Sequence, residues 1–166
     1  MLIFKRIYCR VFQSAFRLAI PLLPYRKPEI IEGFQGLLPV LEEKNISSIL
    51  LVTDAGIRKA GLTAPLEKLL AENGVRCAVY DKTTANPTVP NVEEARELYL
   101  QEECQAIIAL GGGSSIDCAK ACGARIARPR KSLDKMKGLL KFTKSCPLSL
   151  AFPPQRAPAA RLRWQR

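Results

Sequence analysis

The 166-residue sequence contains no histidine. Without an imidazole group the chain cannot build a Ser-His-Asp triad, ligate zinc or iron through histidine, or use histidine as an acid or base near neutral pH. Its six cysteines are scattered, and no two of them form a Cys-x-x-Cys pair. We therefore expect reduced thiols that mostly fill core positions, in a cytoplasmic protein.

The sequence also lacks an apolar run long enough to span a membrane. Residues 1–24 are apolar and basic with helical spacing, but Arg17 interrupts the run. We predict an amphipathic helix and a proline-rich arm over residues 1–29. The helix packs on its own domain or on a partner subunit, or it lies at a membrane interface.

Acidic residues are nearly absent from the end of the chain. Residues 1–123 contain 14 Lys and Arg and 14 Asp and Glu, whereas residues 124–166 contain 12 Lys and Arg against the single acid Asp134. The net charge of +11 therefore belongs to the last quarter of the sequence. Because no basic helix with interleaved aromatic residues accompanies it, we predict no specific nucleic-acid partner.

Apolar strands alternate with amphipathic helices over residues 30–141. This alternation predicts an α/β domain in which helices flank a parallel sheet. The predicted strands are Ser48–Thr53, Arg76–Tyr80 and Ala106–Leu110. The predicted helices lie near Phe34–Lys44, Ala64–Asn73, Val92–Glu103 (with Asn91 as its cap) and Ser114–Arg125.

Polar or glycine-rich segments follow the predicted strands. They contain Asp54, Asn86 and the run Gly111–Ser114, with Asp117 one turn further along. A strand that passes through glycines into a helix exposes free N–H groups and the positive end of a helix dipole, which suits a pyrophosphate. Asp54 as a helix cap, Asn86-Pro87 as a plain turn and Asp117 as a dipole partner are the structural alternatives.

These segments together resemble a known enzyme family. The chain reads Val52-Thr53-Asp54, then Asn86-Pro87-Thr88, then Leu110-Gly-Gly-Gly-Ser-x-x-Asp117-x-x-Lys120. From about Ile31 to Leu140 this order resembles the N-terminal half of the iron-containing alcohol dehydrogenases, which implies a dehydroquinate synthase-like, Rossmann-like domain. The resemblance further implies hydride transfer between a small alcohol or aldehyde and a nicotinamide cofactor. The iron would be bound in an all-helical second domain, which we expect this chain to lack.

The resemblance assigns cofactor-binding roles by position. Asp54 corresponds to the acid that contacts the adenosine ribose, and an acid there favours NAD over NADP. Asn86 corresponds to the loop near the cleft, and Asp117 to an acid on the cofactor side. The pyrophosphate loop corresponds to Gly111, Gly112, Gly113 and Ser114. No catalytic residue and no metal ligand is assigned within this chain.

The last part of the sequence departs from the family pattern. Residues 142–166 are rich in proline and arginine, where the family has a loop that reads approximately Val-Pro-Thr-Thr-Ala-Gly-Thr-Gly-Ser-Glu. Synonymous codons for Phe152–Gln165 yield this loop when they are read in another frame. We therefore predict an out-of-frame tail, with the slip near Leu140–Phe142, that is disordered and lacks packed core positions.

Three functions remain open from the sequence. The first is an inactive N-terminal fragment of an NAD-dependent, iron-dependent alcohol dehydrogenase, possible as a homo-oligomer. The second is a stand-alone nucleotide-binding or regulatory module without catalysis. The third is a basic peripheral protein that binds membranes or RNA through its ends.

Overall fold

A computed structural model describes residues 8–11, 13, 14, 17, 29–31, 33–136, 146–152 and 161–164. The strands are Glu29–Ile31 (β1), Ser48–Val52 (β2), Arg76–Tyr80 (β3), Ala106–Leu110 (β4), Leu148–Phe152 (β5) and Arg161–Trp164 (β6). The α-helices after β1 are Leu37–Glu43 (α1), Ala55–Lys59 (α2), Ala64–Glu72 (α3), Val89–Gln101 (α4) and Gly113–Ala127 (α5).

The strands form one sheet in the order β1-β6-β5-β4-β2-β3. Strands β5, β4, β2 and β3 are parallel to one another, while β6 pairs antiparallel with both β5 and β1. The predicted α/β fold with a parallel sheet and flanking helices is therefore confirmed, with an antiparallel pair added beside β5.

Strands β2 and β4 are buried along their whole length, with helices packed on both faces of the sheet. Side chains alternate along a strand, so Ile49 and Leu51 face one helical layer while Leu50 and Val52 face the other. Helices α1 and α3 pack their leucines on the first face. Helices α4 and α5 cover the second face.

Local signals in the sequence explain most helix boundaries. Helix α3 ends before Gly74, whose φ of +70° is a conformation that glycine adopts without strain. Helix α4 begins three residues earlier than predicted, at Val89. Its N-cap is Thr88, and Asn91 lies inside the helix as the reciprocal partner of a capping box. The prediction that Asn91 is the cap was therefore wrong.

The prediction that residues 142–166 lack packed core positions is wrong for β5. Leu150, Ala151 and Phe152 are 2%, 5% and 3% exposed, and β5 pairs in register with β4 from Ala106↔Leu148 to Leu110↔Phe152. The ring of Phe152 packs edge-on against Phe34, with 5.1 Å between centroids. An apolar strand fits here because one side of β4 would otherwise have unpaired backbone groups. The α/β domain therefore extends beyond residue 141 to at least Phe152.

The N-terminal prediction falls partly outside the described residues. Residues 8–11, 13, 14 and 17 are helical, and Tyr8 and Val11 are exposed. The remainder of residues 1–24 and residues 153–160 of the tail lie outside the described part of the chain. The prediction that the tail over residues 142–166 is disordered is wrong for β5 and also for Arg161–Trp164, which form β6 and pair with β5 and β1. Among the residues that the structure does describe, no helix is long and apolar enough to cross a membrane.

Truncation of Leu150 tests whether β5 belongs to the core. We expect Leu150→Ala to lower the free energy of unfolding by about 3 kcal/mol, because it removes a buried side chain and leaves a cavity. The matched control is Leu100→Ala on α4, where the leucine is 50% exposed and the expected change is within about 0.5 kcal/mol. Urea unfolding followed by circular dichroism measures both. Equal effects of the two substitutions would place Leu150 outside the core.

Candidate functional site

The chain changes direction in the sheet between β2 and β4. From β2 it moves outward to β3, then returns to the other side of β2 to form β4 and continues to β5. In open parallel sheets ligands bind at such a switch point, beyond the carboxyl ends of the two strands. Here those ends lead into Asp54 after β2 and into Gly111 after β4.

A hydrogen bond holds the two strand ends together. Thr53 is fully buried, and its hydroxyl donates to the carbonyl oxygen of Leu110 over 2.7 Å. On the other side, the backbone N–H of Gly111 donates to the carbonyl of Phe152 over 3.1 Å. The ends of β2, β4 and β5 therefore form one continuous rim of the sheet.

The glycine run forms the turn from β4 into α5, as predicted. Gly112 is the N-cap of α5 and offers no side chain to the helix, so no side-chain oxygen satisfies the N–H groups of the first turn. A Cβ atom at Gly112 or at Gly113 would meet nothing within 4 Å. Free donors, open space and the positive end of a 15-residue helix coincide here, which suits an anion.

Gly111 differs from its two neighbours in being enclosed. Its φ is +152°, and a Cβ atom there would lie 2.5 Å from the Ser115 hydroxyl oxygen and 3.2 Å from Oδ2 of Asp54. Only glycine allows the backbone to pass so close to both groups. Gly111 thus brings the glycine loop and the end of β2 together.

Asp54 has both of its carboxylate oxygens engaged. Oδ1 accepts from the backbone N–H groups of Gly56 and Ile57, each over 3.0 Å, which makes Asp54 the N-cap of α2. Oδ2 accepts from the Ser115 hydroxyl over 3.3 Å. Asp54 is therefore a helix cap, the structural alternative that the sequence left open. Its Oδ2, which faces the glycine loop, can still accept a further hydrogen bond.

The other two predicted site residues are set apart from this cluster. Asn86 is exposed on the loop between β3 and α4, with a φ of +57°, a left-handed conformation that asparagine tolerates. Asp117 is exposed on α5 and pairs with Lys120 at 3.6 Å. Both lie towards the same rim as Asp54. Among the described residues, no side-chain hydrogen bond or ion pair joins either residue to Asp54 or to the glycine loop.

Asn91 holds the loop that carries Asn86. Its side chain is 8% exposed and donates to the Tyr80 hydroxyl and to the carbonyl of Lys82, each over 3.2 Å. Its Oδ1 accepts from the Thr84 hydroxyl over 2.8 Å and from the backbone N–H of Thr88 over 3.1 Å. Asn91, which lies within α4, therefore holds the loop between β3 and α4 in one conformation.

Sequence reasoning missed Thr53 and Ser115. Both side chains are fully buried, and each makes one of the hydrogen bonds that join β2 to β4 and α5. Ser115 occupies the third position of α5, directly after Ser114, which was predicted instead. The sequence did contain a signal for Ser115. Side chains on the first turn of a helix point back towards the preceding loop, so a residue at position 115 would face Gly111.

The cysteines on α5 pack in the core, as the sequence indicated. Cys118 and Cys122 are both fully buried, and burial raises the pKa of both thiols, to about 12 for Cys122. All six cysteines are free. The residues that the structure describes contain no group of three Cys, Asp or Glu side chains that could hold a metal ion. With no histidine in the sequence, these residues do not fit an iron site.

A separate cleft of about 450 Å³ lies at the opposite rim of the sheet. It opens beside the segments that precede β2 and β3, so it is remote from the glycine loop. Apolar side chains line much of it, among them Leu38, Leu41, Ile46 and Val75.

Similarity to known proteins agrees with the geometry of the rim. The family model of the iron-containing alcohol dehydrogenases matches residues 32–152. The chain belongs to this family. The match ends at Phe152, the last residue of β5, and therefore includes the strand that the sequence had assigned to an out-of-frame tail.

Relatives and solved structures extend well beyond this chain. It is 44% identical over 89 residues to the choline dehydrogenase of Bacillus subtilis, covering 54% of the chain and 22% of the relative. It is 36% identical over 83 residues to the NAD-dependent methanol dehydrogenase of Bacillus methanolicus, covering 50% of the chain and 22% of the relative. A crystal structure of 1,3-propanediol oxidoreductase matches 77% of the chain and 36% of its own, with a TM-score of 0.67 and 25% identity. The chain thus spans about a fifth of the length of these two relatives.

Proposed function

We propose that this chain supplies the dinucleotide-binding half of an NAD-dependent, iron-dependent alcohol dehydrogenase. The observation that carries the proposal is the cluster of Asp54, Gly111 and the uncapped start of α5 at the switch point of the sheet. The parent protein would act on a small alcohol or aldehyde. The six free thiols, three of which are buried, agree with a reducing compartment, the cytoplasm.

The residues of the rim fit a nicotinamide dinucleotide. The first-turn N–H groups of α5, around Gly113 and Ser114, would hold the pyrophosphate, where their donors have no side-chain partner. Asp54 would accept from a ribose hydroxyl. Asn86 and Asp117 would border the cofactor from the neighbouring loop and from α5. When bound, the cofactor supplies the hydride acceptor or donor for the alcohol and the aldehyde.

Iron chemistry would depend on residues outside this chain. The donor set here does not fit a metal site, because histidine is absent and no three acidic or thiol groups converge in the described part of the chain. Two carboxylates of the rim are already engaged, Asp54 by α2 and Ser115, and Asp117 by Lys120. The 166-residue chain by itself is therefore proposed to be inactive in alcohol oxidation.

We also propose that the reading frame slips directly after Phe152, later than the Leu140–Phe142 region that the sequence had suggested. A parent reading of TTC CCC ACC ACA GCG GGC ACC GGC AGC GAG encodes Phe-Pro-Thr-Thr-Ala-Gly-Thr-Gly-Ser-Glu. Loss of one cytosine turns it into TTC CCA CCA CAG CGG GCA CCG GCA GCG AG, which encodes residues 152–160 as they stand and begins an arginine codon. A single-base change thus accounts for the end of the family match at Phe152.

The position of β5 supports this later slip. Its buried residues are those expected of an in-frame strand, and it ends beside Gly111, whose N–H bonds to the Phe152 carbonyl. The next residues of the parent would therefore leave the sheet on the rim that carries the glycine loop. A loop of threonine and glycine there would add N–H and hydroxyl donors for the cofactor phosphates.

Removal of the charge of Asp54 tests the cofactor assignment. Asn keeps the helix cap, and the Ser115 hydroxyl can accept from the new amide group where it donated to Oδ2, so Asp54→Asn changes mainly the charge. We expect the 166-residue chain to bind NADH with a Kd of roughly 1 mM and to prefer it over NADPH about fivefold. The reason is that a unit charge about 4 Å from another in water is worth about 1 kcal/mol. In Asp54→Asn the preference should nearly vanish. Saturation-transfer NMR titrations with both nucleotides measure it.

The matched control for this test is Glu72→Gln on the last turn of α3. Its carboxylate is exposed and lies at the opposite rim, where it pairs only loosely with Lys68 at 3.8 Å. Glu72→Gln should leave both Kd values unchanged. Absence of NADH binding at 10 times the expected Kd, about 10 mM, would contradict the proposed function. An unchanged preference in Asp54→Asn would contradict the role of Asp54.

A further inference from the structure

We propose that Ser115 is a positioning residue that fixes the carboxylate of Asp54 and thereby sets the preference of this site for NAD over NADP. The inference rests on the proposed function, because it concerns how the same site reads the ribose of its cofactor. Ser115 itself is fully buried and does not reach the open surface of the site. It acts through Asp54.

The hydrogen bonds around Asp54 leave it little freedom. A carboxylate offers about four acceptor positions. The N–H groups of Gly56 and Ile57 take two positions on Oδ1, and the Ser115 hydroxyl takes one on Oδ2. One position on Oδ2 therefore remains. The bond from Ser115 determines the direction in which that position faces.

This arrangement discriminates between two chemical groups. A ribose 2′-hydroxyl can donate to the remaining lone pair of Oδ2. A 2′-phosphate is mostly a dianion near neutral pH, because its second pKa is about 6, and it brings negative charge towards a carboxylate. Because Asp54 is held on both oxygens, it cannot turn away to relieve the repulsion. Without the bond to Ser115, only the cap on α2 would restrain it.

Gly111 makes the bond possible. A side chain at this position would begin 2.5 Å from the Ser115 hydroxyl oxygen and 3.2 Å from Oδ2 of Asp54, so it would occupy the space between β4 and the two polar groups. The hydroxyl therefore reaches across the loop only because residue 111 lacks a side chain. Gly111, Ser115 and Asp54 together connect the loop after β4 to the end of β2.

The test compares Ser115→Ala with Ser48→Ala in the 166-residue chain, using NADH and NADPH as probes. Ser48 is also buried, at 2% exposure, but it lies at the opposite rim, where its hydroxyl donates to the carbonyl of Glu102. The 3.3 Å bond to Asp54 is long for a hydroxyl donor, so we expect a moderate effect. In Ser115→Ala the ratio of the NADPH Kd to the NADH Kd should fall by about threefold. In Ser48→Ala it should not change.

A second readout needs no ligand. The amide protons of Gly56 and Ile57 are held by Oδ1 of Asp54, so release of the carboxylate in Ser115→Ala should speed their hydrogen exchange by about threefold. Amide exchange in α4 should stay unchanged, which separates this local effect from global destabilisation. Ser48→Ala should leave both amides as they are.

The outcomes separate this inference from the proposed function. If the unmodified chain binds NADH and the NADPH-to-NADH ratio stays the same in Ser115→Ala, the role of Ser115 is overturned and the proposed function stands. If the unmodified chain binds neither nucleotide, both are overturned, even where the amide exchange responds. A lower ratio together with faster exchange at Gly56 and Ile57 supports the inference.

Discussion

Restoring the proposed reading frame after Phe152 is expected to create alcohol oxidation, whereas none is expected of the 166-residue chain. If the codons are those of the proposed slip, insertion of one cytosine between the codons for Phe152 and Pro153 would replace the sequence Pro-Pro-Gln-Arg with Pro-Thr-Thr-Ala and continue the proposed parent frame. The restored protein should oxidise a small primary alcohol with NAD in an iron-dependent manner. Enzymatic rates exceed uncatalysed ones by at least about a millionfold, so the change should be from undetectable to readily measured NADH production.

Two controls accompany this experiment. Insertion of two bases at the same place reads the third frame, and it should leave the protein inactive. A restored chain that ends directly after the threonine- and glycine-rich loop should bind NADH more tightly than the 166-residue chain but should still lack turnover. The second control separates completion of the cofactor site from supply of the metal ligands.

Several results would contradict the frame-slip proposal. The DNA is decisive on its own: if the codons of Pro154 and Gln155 cannot be read as Thr-Thr-Ala with their neighbours, the proposal fails. A stop codon immediately beyond Phe152 in the restored frame would favour a stand-alone nucleotide-binding module. Iron-dependent turnover by the chain as written would overturn its proposed inactivity.

Substitution of Gly111 by alanine is expected to destabilise the domain by about 3 kcal/mol. Its φ of +152° is strained for any residue with a side chain. In addition, the new Cβ would lie 2.5 Å from Oγ and 2.9 Å from Cβ of Ser115, which is fully buried and cannot move away freely. Backbone strain of about 1–3 kcal/mol and overpacking of similar size both contribute.

The matched control is Gly113→Ala, two residues further along. A Cβ atom there meets nothing within 4 Å, and the residue is the first of α5. The expected change in the free energy of unfolding is within about 0.5 kcal/mol, because the added methyl group meets no neighbouring atom. Any change should be stabilising, since alanine is a better helix former than glycine. Urea unfolding of both variants tests the difference. If Gly111→Ala were as stable as Gly113→Ala, the close approach of β4 to Ser115 and Asp54 would be wrong.

Much of the fold follows from local signals in the sequence. Strands β3 and β4 begin and end as predicted, because turn residues on both sides of each short apolar run mark the ends of the strand. Helix α5 follows the glycines as predicted. Strands β1 and β6 and the five-residue helix α2 were not predicted, since each is too short to produce a periodic pattern.

The candidate site was predicted in part. The sequence marked Asp54 and the glycine loop, because residues after parallel strands share one rim of the sheet. It gave no measure of how close they are, and it omitted Thr53 and Ser115. Those two residues act through hydrogen bonds to partners 57 and 61 positions away in the chain. Such distant pairs carry no local pattern.

The sequence by itself determined the family, the alternation of strands and helices, and the absence of histidine. Each of these depends on residue identity or on spacing within a few turns of the chain. Only the tertiary structure decided that Leu148–Phe152 is a core strand and that Asp54 is held by Ser115. A short apolar segment is identified as a strand only when its backbone pairs with the edge of β4. The orientation of the Asp54 carboxylate depends on the Ser115 hydroxyl, which only folding brings within 3.3 Å.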